Sequence, residues 1–180
     1  MSAAHQGRPT HLIPEAEVEQ LLAPIGGESA TGSNLEYDPA FSALERAAAG
    51  KEERYSGGEL IPAEEPDWRS VRALASGLLG RTKDLRVAMQ FAKAETALNG
   101  LEGLQAGTRI LPGLLEHYWD GIHPQHEADE GDDPVFRLNA LAPLNDPAGL
   151  LGLLRKIPLV EARSVGRFTF RDLDIAEERA

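Results

Sequence analysis

Asp84-Leu85-Arg86-Val87-Ala88-Met89-Gln90-Phe91-Ala92-Lys93-Ala94-Glu95-Thr96-Ala97-Leu98 is apolar on two sides of a helical wheel. Leu85, Ala88, Met89 and Ala92 form one stripe, and Val87, Phe91, Ala94 and Leu98 form another. A surface helix needs one apolar face, whereas a helix with two must be covered from both directions. The spacing therefore predicts a helix over 84–98 that acts as the hub of the core.

The neighbouring segments read as helices packed around that hub. Upstream, Pro66-Asp67-Trp68 opens a run in which Trp68, Val71, Ala75 and Leu78 share one face, with a break near Gly80 to Thr82. Downstream, Asn99-Gly100 is a helix stop. Leu101, Leu104, Thr108, Leu111, Leu115 and Tyr118 then resume helical spacing, and Pro112 within the run predicts a kink or two shorter helices. Asp38-Pro39, Asp133-Pro134 and Asp146-Pro147 each put a capping carboxylate before a proline suited to the first helical turn, so three more helix starts are expected. A short helix is expected over 14–23 and an exposed excursion over 51–66. Near the C-terminus, Leu159-Val160 and Arg167-Phe168-Thr169-Phe170 suit a small hairpin. The expected fold is all-α, a compact multi-helix, bundle-like domain with a small β-hairpin near the C-terminus. Residues 1–13 read as a flexible leader, 14–175 as the helical domain and 176–180 as a tail toward a further C-terminal region.

Composition narrows the function classes. The 180 residues are 42% hydrophobic and 26% charged, enough for one domain with a real core. There is no cysteine, hence no disulfide framework and no thiolate chemistry. The apolar stretches are interrupted well before the roughly 20 residues of a membrane span, and no secretory signal is legible at the N-terminus. A cytoplasmic location is the expectation. The net charge of -11 disfavours nucleic acid and anionic membrane surfaces, and points to solubility and basic partner surfaces.

Few constellations suggest chemistry. His117, His123 and His126, with carboxylates nearby, present the donor types of a divalent-metal site, and a metal-dependent enzyme centred on them is the main alternative reading. The spacing is poor, because His117 and His123 are not an i, i+4 pair and Pro124 imposes irregular backbone before His126. Asp129-Glu130-Gly131-Asp132-Asp133 lacks the ligand spacing of a calcium hand loop and reads as a solvated acidic loop. Gly77 to Lys83 has the wrong order for a phosphate loop and follows a helix, and no G-x-S-x-G elbow occurs. No catalytic residue, metal or cofactor is therefore expected. Arg81, Lys83 and Arg86 either tie helix ends together or present a partner-facing patch, with the structural role favoured. Trp119 and His123, at a helix end beside charged neighbours, complete the candidate partner-binding set.

Four ordered blocks carry a resemblance. The first is Pro24-Ile25, Gly32 and Leu35-Glu36-Tyr37-Asp38-Pro39-Ala40-Phe41 with Leu44-Glu45. The second is Glu65-Pro66-Asp67-Trp68-Arg69 with Val71, Leu78-Leu79 and Arg81-Thr82-Lys83-Asp84-Leu85-Arg86-Val87-Ala88. Leu101-Glu102-Gly103-Leu104, Leu114-Leu115-Glu116, Tyr118-Trp119-Asp120 and His123-Pro124 form the third. Asp132-Asp133-Pro134, Arg137, Asn139-Ala140-Leu141 and Leu144 form the fourth. Together, over residues 20–175, they resemble the ImpA N-terminal family of type VI secretion proteins; 51–62 departs as a variable spacer.

The resemblance implies a non-enzymatic interaction domain of a contractile injection machine of Gram-negative bacteria, working at its cytoplasmic baseplate and sheath. It implies baseplate, tail-tube, sheath and membrane-complex proteins as partners, with neither nucleic acid nor direct membrane insertion. It also implies self-association of the full-length protein through a ring-forming C-terminal region beyond this segment. A purely architectural dimerisation module is a third reading.

Overall fold

The computed structural model describes residues 13–51, 53–56, 58–125, 133–162, 164 and 166–178. The described elements run α1 (Glu15–Leu22), α2 (Pro39–Ala49), β1 (Arg54–Ser56), β2 (Glu59–Ile61), α3 (Trp68–Leu79) and α4 (Leu85–Tyr118). They continue with α5 (Val135–Leu141), a 3-10 turn (Ala142–Leu144), α6 (Leu150–Lys156), β3 (Pro158–Ala162), β4 (Gly166–Thr169) and α7 (Phe170–Glu177).

The hub lies where the double stripe puts it. Leu85, Val87, Ala88, Phe91, Ala92 and Ala94 are wholly buried, so both stripes are covered, with only Leu98 at the far end reaching solvent. Asp84 caps this helix by accepting from the Arg86 N–H at 2.8 Å. α4 is a helical hairpin rather than one rod. At Gly100, φ 66° and ψ -139° break the helical path, and the chain folds back so that 101–118 runs against 85–99. Side chains with a Cβ rarely adopt that conformation, which is why the reversal falls on glycine. The returning limb lies very close. A Cβ at Gly103 would sit 2.0 Å from the Glu95 carbonyl oxygen, and one at Gly107 would sit 2.6 Å from the Ala92 Cα. The glycines set the interhelical distance by removing side chains at the contact.

Of the kink or two shorter helices expected at Pro112, the split is absent, and the backbone stays helical through it. Pro112 faces solvent, where the backbone group freed by the missing N–H remains hydrated. Among the other predicted starts, α2 begins as expected, with Asp38 accepting from Ala40 N at 2.8 Å. Asp133 likewise accepts from Val135 N at the start of α5. Asp146-Pro147 instead makes a turn. Asp146 accepts from Ala148 N, Gly149 N donates to the Asp146 carbonyl, and α6 begins only at Leu150.

The all-α expectation needs correction. The domain is mostly helical but carries two small antiparallel hairpins, so its class is mixed. β3 and β4 form the expected C-terminal one, with Val160 opposite Phe168. β1 and β2 form a second within 51–66, read above only as an exposed excursion. Gly57-Gly58 between two short runs with β-favouring residues was its sequence signal. Neither hairpin enters the core, which the helices build from Val18, Leu21, Phe41, Leu44, Val71, Leu78, Phe91, Ile110, Leu114 and Leu150. Among the described residues no helix is long and apolar enough to cross a membrane.

Candidate functional site

The segment between α3 and α4 is stitched to two distant loops. Lys83 N donates to the Thr31 carbonyl at 2.7 Å, His123 N to the Lys83 carbonyl at 2.9 Å, and Leu85 N to the His123 carbonyl at 2.8 Å. Gly32 pairs with Thr82 at φ 69°, and a Cβ there would meet the Arg81 carbonyl oxygen at 2.2 Å, so only glycine lets these strands approach. Backbone groups at the helix ends are thereby satisfied inside the protein.

This stitching decides the surroundings of the candidate partner-binding residues. Lys83 is wholly buried, and its Nζ donates to the carbonyls of Leu21 at 2.7 Å and Leu79 at 3.1 Å, at the last turns of α1 and α3. Burial without a carboxylate partner pushes its pKa down to about 8. His123 is 4% exposed, with Nε2 3.2 Å from the Gly32 carbonyl oxygen. Neither offers a surface to a partner. Arg86 is half-buried; it pairs with Asp84 at 2.8 Å and Glu36 at 3.1 Å, and its guanidinium lies 4.8 Å from the Phe41 ring. Arg81 is exposed and pairs with Asp38 at 2.5 Å, holding that carboxyl below its usual range. Trp119 is 46% exposed and stacks under the buried Arg137 guanidinium at 4.5 Å. Of the five, Arg81 and Trp119 alone stand well out into solvent.

His117 is exposed and meets Tyr118 edge-on, His123 is engaged as described, and His126 lies outside the described residues. Among the described residues no group of three or more His, Asp or Glu side chains could hold a metal ion.

The concave surface lies elsewhere. A cleft of about 660 Å³ opens beside the Gly100 reversal, and one of about 420 Å³ lies between the end of α2 and the start of α6. Both are lined by Glu65, Trp68, Leu153 and Lys156, so they form two lobes of one groove. Lys156 pairs with Glu65 at 2.8 Å where the lobes meet, and that hydrogen bond holds the Glu65 carboxyl below its usual range. Lys93 lines the smaller lobe with Nζ 5.9 Å from the Trp68 ring, and burial lowers its pKa. The Glu65-Pro66-Asp67-Trp68 block contributes to this groove, but no single run of sequence marks it, because its walls come from segments more than ninety residues apart, as the Lys156–Glu65 separation of 91 shows.

Buried ions tied into the scaffold, together with an open two-lobed groove, characterise a mostly helical domain of the type VI secretion class. The chain belongs to the ImpA N-terminal family of the type VI secretion system, whose model matches residues 22–146. It is 48% identical over 156 residues to the type VI secretion system component TssA1 of Pseudomonas aeruginosa, an alignment covering 86% of this chain and 45% of that protein. The chain thus spans less than half the length of that relative. Its fold is similar to the N-terminal domain, including the conserved ImpA_N region, of the TssA component from Burkholderia cenocepacia. That match has a TM-score of 0.72 and 31% identity, and covers 98% of this chain and 63% of that one.

Proposed function

We propose that this domain is a non-enzymatic docking module of a type VI secretion assembly protein, acting in the cytoplasm. Its partners are baseplate, tail-tube, sheath or membrane-complex subunits of that apparatus. The observation that carries this reading is how the buried ionisable groups are spent. Lys83 holds two helix ends, Asp84 caps the hub helix, Glu95 pairs with Arg72, and Arg137 donates to the carbonyls of Ile122 and Pro124. None of the four lines either lobe of the groove. Polar groups poised for acid–base work converge on a pocket, whereas these serve the scaffold and leave the open surface for contact.

Purified chain presented to each class of apparatus subunit tests the reading. Capture of at least one subunit is expected at concentrations where the longer secretion protein captures it. Failure to bind any of them sinks the docking role, and the mass in solution of the chain alone decides whether it is a dimerisation module instead.

A further inference from the structure

The smaller lobe of the groove contains an unmatched cation. Four charged side chains line it: Glu64, Glu65, Lys93 and Lys156. Glu64 pairs with Lys51 at 2.7 Å and Glu65 with Lys156 at 2.8 Å. Lys93 forms neither an ion pair nor a hydrogen bond with any described residue. Its surroundings are the Trp68 ring, and Asp146, whose charge favours the ammonium but stands too far away for an ion pair. Partial burial disfavours the charge on this ammonium, and no described acceptor pairs with it. The four lining charges sum to zero, and because Lys51 and Lys156 already pair with the two glutamates, Lys93 is the lining charge left without an ion pair among the described residues.

The walls fit a polypeptide. Ala48, Ala49, Ala63, Ala148 and Gly152 make them low enough for a main chain to approach, and Trp68 and Leu153 supply apolar surface. We propose that this lobe binds an acidic segment of a partner protein. An Asp or Glu carboxylate of that segment pairs with Lys93 Nζ, and a neighbouring apolar side chain packs against Trp68 and Leu153. The incoming carboxylate supplies the polar partner that Lys93 lacks among the described residues, and like-charge repulsion at Lys93 disfavours a basic segment. This deepens the docking function proposed above and rests on it.

The test is quantitative binding of purified baseplate, tail-tube, sheath and membrane-complex subunits to the wild-type chain and to Lys93→Arg, Lys93→Glu and Ala148→Trp. Lys93 has no internal partner to orphan and Ala148 is exposed, so unchanged melting curves are the folding control. The subunit that binds wild type is expected to lose at least about tenfold in affinity with Lys93→Glu. Lys93→Arg retains most of the affinity, and Ala148→Trp, which fills the lobe, weakens binding without changing charge. Wild-type-like binding by both Lys93→Glu and Ala148→Trp overturns the groove while leaving the docking role intact. Absence of wild-type binding to every subunit overturns the docking role, and the groove falls with it. Self-association that disappears in Lys93→Glu makes a second copy the occupant and overturns the assignment to a different protein.

Discussion

The ammonium of Lys83 lies 2.7 Å from the carbonyl oxygen of Leu21, 62 residues earlier in the chain. A second bond, to Leu79, lets one buried cation serve the last turns of two helices, where carbonyls lack intrahelical donors and the helix dipoles favour positive charge.

That arrangement makes stability depend on pH in a definite direction. Burial lowers the Lys83 pKa from 10.5 to about 8, so between those values the unfolded chain holds a proton that the folded chain has released. Stability contributed by this group therefore rises with pH through the window, by a total on the order of 1–3 kcal/mol. Denaturant melts between pH 8 and about 9.5, below the ordinary tyrosine range, are expected to show this slope in wild type and to lose it in Lys83→Met. An equal slope in both proteins refutes the assignment. Tyr118, beside Lys83 and pushed upward by burial, works in the opposite sense at higher pH and is present in both.

Arg72 anchors Glu95, which is wholly buried, and also pairs with Glu17 at 2.8 Å. Asn99 adds a bond to the other Glu95 oxygen at 2.6 Å. Arg72→Met leaves a buried carboxylate with a neutral partner only and is expected to cost about 3 kcal/mol. Arg72→Met combined with Glu95→Gln is expected to recover part of that loss. Chemical denaturation of the two single variants and the double variant measures the coupling.

Glycines in helices have opposite predicted effects according to what a Cβ would meet. Gly103→Ala and Gly107→Ala drive a methyl group into the opposing limb of α4 and are expected to destabilise by about 1–3 kcal/mol. A Cβ at Gly77 in α3 meets nothing within 4 Å, so Gly77→Ala is expected to stabilise by up to about 1 kcal/mol. Melting temperatures moving in the same direction at all three positions contradict the close-packed hairpin.

Asp84 is wholly buried and both caps α4 and pairs with Arg86. Asp84→Ala removes both functions, with an expected loss of about 2 kcal/mol or more. Asp84→Asn keeps a capping oxygen and is expected to lose less. Equal losses, measured by thermal unfolding, would make the cap irrelevant.

Much of the fold was legible because it is local. The two-sided stripe of 84–98 located the hub, Asp38-Pro39 located α2, and Asn99-Gly100 located the reversal; each signal lies within a few residues of what it controls. Pro112 misled because its effect depends on which side of the helix it faces, and Asp146-Pro147 because Gly149 continues the turn. The candidate site was less legible. Arg81, Lys83 and Arg86 are the cations of one short segment, yet the fold directs them to a partly buried carboxylate, two backbone carbonyls in the interior and a half-buried network respectively.

By itself, the sequence determined the helical segments, the cysteine-free acidic surface and the family blocks, all of which follow from residue type and short-range spacing. Only the tertiary structure decided that Lys83 is internal and that Lys93, an ordinary lysine in the hub helix, is the unmatched charge in a groove. The reason is that burial and pairing belong to neighbours in space. Lys83 meets Leu21 across 62 residues, and the Lys156–Glu65 pair beside Lys93 spans 91, so no window along the chain contains either environment.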